Sequence, residues 1–333
     1  KQPARPNPIL GEPTESCYTG ASLSDYEPPP AASHPMTTAT TKPAAISQKS
    51  TEWQGIILVF VGAFFFSTAI LFTRLTEGLN VASIAFYRAL SAFAFLSLLL
   101  VRFREPLHVR AYRGSLRALL ALGLIVSMTV SLYTYAIQHT TAANAALLVN
   151  SSPIYVALLA PLLLKEPRAR HTWASLALAV LGIVLVSNPA QLDLESSSTL
   201  GILAAALSGL TYSFATILGR QMRGRVSGLT QTMWSTGITA LVLLPLAIQA
   251  PGAVVVDNLP LLIPLGIFSL GLSYLCYFLG LQRVSAQVVS VVALFEPVSG
   301  ALIGLIAFQE FPGPFGLLGG LLILASISLI SRQ

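Results

Sequence analysis

Charge is scarce in this chain. Asp, Glu, Lys and Arg together make up 10% of its 333 residues, against about 25% in an ordinary soluble domain. Hydrophobic residues make up 54%, and the mean hydropathy is +0.73. A soluble fold has no interior large enough for that much apolar surface, so lipid is the expected solvent. Cysteine is almost missing. Cys17 lies in a polar tail and Cys276 inside an apolar run, which excludes a disulfide framework and a cysteine-based metal site. There is no His-Glu-x-x-His, no phosphate-cradling Gly-Lys-Ser/Thr loop and no Gly-x-Ser-x-Gly, so the motifs of zinc proteases, nucleotide hydrolases and serine esterases are absent. No metal or cofactor is expected. The formal net charge of +6 does not indicate nucleic acid, because Arg and Lys sit in short gaps between apolar runs, where they act as topology signals.

Long apolar runs are what the sequence has in abundance. A helix needs ~20 such residues to cross ~30 Å of hydrocarbon. Ten stretches qualify, at approximately 54–75, 81–102, 114–137, 141–164, 171–188, 199–219, 229–249, 259–281, 285–308 and 314–331. They are called spans one to ten below. Residues 1–50 are rich in Pro, Ala, Ser and Thr without apolar periodicity, the composition of a disordered tail. Met36 opens a stretch that reads as an ordinary bacterial N-terminus, so residues 1–35 are expected to be an extension foreign to the native protein.

Charge placement predicts the orientation. One set of alternate loops holds Arg102, Arg104, Arg110 and Arg113, then Lys165, Arg168 and Arg170, then Arg220, Arg223 and Arg225, then Arg283. The opposite set holds only Arg74. By the positive-inside rule both termini are cytoplasmic. Trp53 and Trp173 fall at the cytoplasmic ends of their spans, where interfacial anchors belong.

The chain also repeats itself upside down. Residues 138–187 align on 282–331 without a gap: Gln138 meets Gln282, Ala142 meets Ala286, Pro153 meets Pro297 and Glu166 meets Glu310. Span one aligns on span six, with Gly55 on Gly201, Ser67 on Ser213 and Arg74 on Arg220. Five spans is an odd number, so the second copy enters the bilayer from the other side. The predicted fold is an all-α polytopic membrane protein of ten transmembrane helices, arranged as two inverted five-helix repeats over 51–188 and 199–331. Antiparallel repeats of this kind mark secondary transporters, with the substrate site near the midplane between the halves.

The stretches FYRALSAFAFLSLLL (86–100), AANAALLVNSSPIYVALLAPLLLKEP (142–167) and ALFEPVSGALIGLIAFQE (293–310) resemble the EamA branch of the drug/metabolite transporter superfamily. The resemblance covers about 54–331. It implies an exporter of amino acids, metabolites or drug-like molecules without ATP hydrolysis, and a central cavity lined by both halves. The first copy departs from the pattern, because Asn150, Ser151 and Ser152 precede Pro153 where the second copy has Glu296 before Pro297.

Glu296 is the leading site candidate. It lies about eleven residues into span nine, ~16 Å at 1.5 Å per residue, and a carboxylate at the centre of a bilayer is costly by ~2.5–3.5 kcal/mol on insertion scales. Ser152 occupies the matching depth in span four, entering from the other face. Pro153 and Pro297 each free a carbonyl about one turn earlier, and broken backbone at that depth is tolerated only against protein or a cavity. Glu296 is therefore expected to bind a cationic substrate group or carry a coupling proton. Arg88 lies ~10 Å inside span two, within reach of Glu296 in depth. It either pairs with that acid, divides an amphoteric substrate with it, snorkels outward, or fixes helix packing through backbone carbonyls. Tyr87, Tyr133, Tyr135, Tyr155, Tyr212, Trp234, Tyr274 and Tyr277 supply rings with polar tips. Of these, Tyr87, Trp234 and Tyr274 join Asn150 and Ser152 as candidate ligand contacts. Gly300-x-x-x-Gly304 and Gly316-x-x-x-Gly320 predict close helix packing. Glu166 and Glu310 are expected at helix ends or gates.

The function these residues support is a secondary transporter exporting amphoteric or cationic metabolites and drug-like compounds by alternating access. It would reside in the bacterial inner membrane, with lipid and a small-molecule substrate as partners and a homodimer left open. A nucleotide-sugar or sugar-phosphate antiporter on the same fold is the nearer alternative. That activity calls for cavity lysines, and no lysine falls inside any span. An intramembrane enzyme or sensor needs no duplicated inverted halves.

Overall fold

A computed structural model of the chain describes residues 43–104, 114–140, 142–167, 171–187, 199–247 and 250–332. The tail 1–42, Cys17, Arg110, Arg113, Arg168, Arg170 and the acidic segment 188–198 lie outside them. The described residues form helices throughout, in ten spans. Span one is Pro43–Leu75, span two Val81–Arg102 and span three Leu116–His139. Span four is a broken pair, Ala142–Val149 and Ser152–Leu163, and span five is Thr172–Val186. Span six is Thr199–Gln221 and span seven Gly228–Ala247. Span eight runs as Gly252–Gly266, a π-helical turn Ile267–Leu272, and Ser273–Leu281. Span nine is a second broken pair, Ala286–Val292 and Phe295–Phe308, and span ten is Gly313–Ile330.

Eight of these spans are long and apolar enough to cross a membrane. Span five, with 15 residues, is a shorter apolar helix. Span seven is diluted by a polar face: Thr230, Gln231, Thr232, Ser235, Thr236 and Thr239 are all buried. Most of their hydroxyls turn back onto carbonyls of their own helix. Two further contacts run between spans, Ser127 to Thr239 at 3.2 Å and Thr129 to Thr211 at 2.8 Å.

The spans pack in pairs that respect the inverted duplication. Span one lies on spans eight and nine, and span six lies on spans three and four. Span two packs on span eight, and span seven on span three. Spans two and seven meet each other, as do spans five and ten. Every one of these contacts crosses between the repeats, so the two halves interlock. Individual glycines show the same relation. A Cβ on Gly201 would stand 2.6 Å from the His139 carbonyl oxygen, and one on Gly55 would stand 2.7 Å from the Arg283 Cβ. His139 and Arg283 are themselves matched positions of the two copies.

Three features differ from the sequence expectation. The first helix begins at Pro43, inside the stretch read as disordered. Span eight begins at Gly252 rather than near 259. The Val-Val-Val run of APGAVVVDNLP carries the helix through Asn258, and Asn258 explains why. Its amide donates to the Glu77 carbonyl at 3.0 Å and its oxygen accepts from the Glu77 N–H at 3.4 Å. Span eight is thereby stitched to the turn between spans one and two. Asn258→Ala strands both Glu77 backbone groups. We expect it to destabilise the protein by about 1–3 kcal/mol, measured as a lower melting temperature in detergent.

The third difference concerns close helix packing. Gly316 faces its own Pro312, and Gly320 has Val298 at 3.8 Å. The tight approach is made by Gly319, where a Cβ would lie 2.5 Å from the Gly182 carbonyl oxygen, backbone against backbone of span five. Gly300 does pack closely, since a Cβ there would stand 2.8 Å from the Ile70 side chain of span one.

Candidate functional site

The two helix breaks sit at matched places. Span four stops at Val149 and restarts at Ser152; span nine stops at Val292 and restarts at Phe295. In each case the proline stands in the first turn of the second half, where its missing N–H costs nothing. The first break packs on span six, where a Cβ on Gly209 would meet the Leu148 carbonyl oxygen at 2.6 Å. The second packs on span one, where the Phe295 ring stacks on Phe60 at 3.7 Å. Ser299 donates to the carbonyls of both Phe295 and Glu296, each at 3.0 Å, which steadies the helix start that carries the acid.

Glu296 is set deep in the bundle. Arg88 of span two, Tyr133 of span three, and Tyr212 and Tyr274 of spans six and eight all lie within electrostatic range of its carboxylate. The acid is thus surrounded by four spans drawn from both repeats. Glu296 nevertheless keeps accessible surface. Among the described residues it makes neither a contact ion pair nor a side-chain hydrogen bond: the ion pairs are Arg74–Glu310 and Arg220–Glu166.

Arg88 is held from one side only. Its Nη2 donates to the Ser269 carbonyl at 2.5 Å, and Ser269 belongs to the π-helical turn of span eight. A π-turn shifts the hydrogen-bond register and exposes carbonyls that an α-helix would use, which is why such turns recur at functional sites. Gly266 makes the contact possible, since a Cβ there would stand 2.5 Å from both the Arg88 carbonyl oxygen and the Ser91 Cβ. Arg88 Nε is buried and has no hydrogen-bond partner. A buried donor left unmade costs about 1–3 kcal/mol, more when charged.

The aromatic wall is continuous. Tyr277 shares a hydrogen bond with Thr216 at 2.7 Å and stacks on Tyr212 with centroids 5.8 Å apart. Tyr274 meets Phe66 edge-on at 5.0 Å and lies 6.4 Å from Tyr277. Of the candidate ligand contacts, Glu296, Arg88 and Tyr274 therefore come together. Tyr87 packs edge-on against Phe86 at 5.0 Å between two apolar clusters. The Asn150 amide turns back to the Ala146 carbonyl at 2.9 Å, and Ser152 is buried at the first break. Trp234 lines a wholly apolar hollow of about 480 Å³ between spans two and seven, with Phe86, Phe93 and Ile238. Tyr135 stacks on His139 at the surface. Thr216, Ser269 and the π-helical turn carried no signal in the sequence.

The EamA-like transporter family model matches this chain twice, over residues 53–188 and 199–332. An uncharacterized transporter of Archaeoglobus fulgidus is 29% identical over 84% of this chain and 97% of its own length. The pseudopaline exporter of Pseudomonas aeruginosa is 27% identical over 84% and 96%. A probable terminal-alkyne amino-acid exporter of Streptantibioticus cattleyicolor is 26% identical over 77% and 86%. A solved crystal structure superimposes with a TM-score of 0.72 at 17% identity, covering 83% of this chain and 95% of the other, which shows the shared fold.

Proposed function

This chain belongs to the EamA-like transporter family, and on that premise we propose that it exports small amphoteric solutes by alternating access. Glu296 takes the ammonium end of the solute and Arg88 its carboxylate. One observation carries this reading: two opposite charges in electrostatic range inside the bundle, not in contact with each other, with a buried donor of Arg88 unmet. A solute bearing both charges satisfies both groups at once, while the tyrosines cover its apolar part. Relatives named as exporters of pseudopaline and of an amino acid support a substrate of this class.

The test is counterflow in proteoliposomes against a panel of amino acids and their esters. Accumulation of free amino acids supports the reading; transport restricted to phosphorylated sugars sinks it. Arg88→Gln keeps a hydrogen-bonding amide but loses the cation. We expect the KM for carboxylate-bearing solutes to rise about tenfold or more, since a charge-assisted hydrogen bond is worth ~1.5–3 kcal/mol. The KM for the corresponding esters should hardly change.

We further propose that the protein sits in the bacterial inner membrane; the basic residues collected in one set of loops support an orientation with both termini in the cytoplasm. Fusing alkaline phosphatase to the C-terminus should give an inactive enzyme, and an active one would reverse the orientation.

A further inference from the structure

Two ion pairs among the described residues are copies of each other at matched positions of the two repeats. Arg74 closes span one and Arg220 closes span six, at matched positions. Glu166 and Glu310 follow spans four and nine, again at matched positions. Each acid is presented by the same turn: Lys165 and Gln309, the residues just before them, adopt left-handed backbone at φ 55° and 57°. Both contacts are 2.6 Å. The surroundings differ sharply. The side chains of Arg220 and Glu166 are 11% and 15% exposed, those of Arg74 and Glu310 48% and 56%.

The buried pair is also a junction. Arg220 Nη1 donates to the Leu281 carbonyl at 2.6 Å, and Glu166 Oε2 accepts from the Ala286 N–H at 3.1 Å. These bonds tie spans six and four to the corner between spans eight and nine. The counterpart corner on the other face lies at Ile137 and Ala142, between spans three and four. Among the described residues neither Arg74 nor Glu310 bonds to it; Arg74 rests on the Phe308 ring, 4.9 Å from its centroid. Burial along the spans agrees. Residues 290–294 of span nine are all buried, while their counterparts 146–150 of span four are only half-buried.

We propose that Arg220–Glu166 and Arg74–Glu310 are alternating gate latches, the first engaged on its corner and the second waiting for its own. Closing the Arg74 face brings Ile137 and Ala142 onto Arg74 and Glu310, and opening the Arg220 face releases Leu281 and Ala286. Given the orientation proposed above, the structure is closed to the cytoplasm and open outward. The inference rests on the alternating-access reading and names the residues that set its equilibrium. They are positioning residues, since neither pair touches the Glu296 centre.

The test is a pair of spin-label distances in full-length protein reconstituted in nanodiscs, with Cys17 and Cys276 replaced by Ser. Labels at His139 and Phe311 report the Arg74 face; labels at Lys165 and Arg225 report the Arg220 face. Arg220→Gln should move at least tenfold more molecules to a short 139–311 distance and a long 165–225 distance. Arg74→Gln should leave the native distribution or sharpen it. The swap Arg220→Glu with Glu166→Arg should restore the native ratio, and a native elution profile certifies folding for each variant. If the native protein populates two distances and Arg220→Gln leaves their ratio unchanged, the latch assignment is overturned while alternating access stands. If neither distance moves in any variant or with transported solute, alternating access itself fails.

Discussion

Glu296→Gln will cut transport by more than an order of magnitude while leaving the protein folded. Glutamine has nearly the shape of glutamate and can still hydrogen-bond, so the start of the second half of span nine is kept. Neutralising the acid relieves its own desolvation but takes the opposite charge away from Arg88, so the melting temperature should change little. On the proposed reading the solute, by contrast, loses the partner of its cation. Truncating one member of a buried charge pair costs about 2–5 kcal/mol, which at 1.4 kcal/mol per decade is a loss of roughly 30-fold to more than 1000-fold in transport. Counterflow at fixed protein-to-lipid ratio reads the loss directly. A variant that elutes as native and transports within twofold of native removes the acid from the mechanism.

Gly266→Leu will damage fold and site together. Span eight crosses span two at this glycine, and any Cβ stands 2.5 Å from the Arg88 carbonyl oxygen and 3.0 Å from the Ala92 nitrogen. Those are backbone atoms of a helix and cannot rotate away, so the two spans must separate. Overpacking typically costs about 1–3 kcal/mol, and this site belongs at the upper end, a fall of roughly 5–10 °C in melting temperature. The separation also pulls the Ser269 carbonyl from Arg88. Gly266→Leu should therefore raise the KM for carboxylate-bearing solutes, which a stability loss elsewhere, such as Asn258→Ala, should not do. Equal effects of the two substitutions on KM would show that the π-helical turn does not position Arg88.

The ten spans were legible because lipid imposes a length and a composition on each. The inverted repeat was legible because polar residues such as Gln138 and Gln282, or Glu166 and Glu310, are rare enough in apolar helices to align without ambiguity. Both helix breaks were visible through Pro153 and Pro297. What could not be read was anything decided by a contact between distant segments. The helix through 252–258 depends on Asn258 meeting Glu77, across 181 residues of chain. The tight crossing at Gly319 depends on which face of span ten meets span five, and the two Gly-x-x-x-Gly patterns point to other faces. Arg88 left four outcomes open, and the structure gives it a backbone carbonyl of span eight together with an unmet donor, because a π-helical turn leaves no mark in the sequence.

The most direct measurement is a cryo-EM map of the protein with a solute it transports. The account predicts solute density between Arg88 and Glu296, with its polar ends on those two groups and Tyr212, Tyr274 and Tyr277 along its side. Density confined to the apolar hollow beside Trp234, with the Arg88–Glu296 space filled by side chains alone, would contradict it.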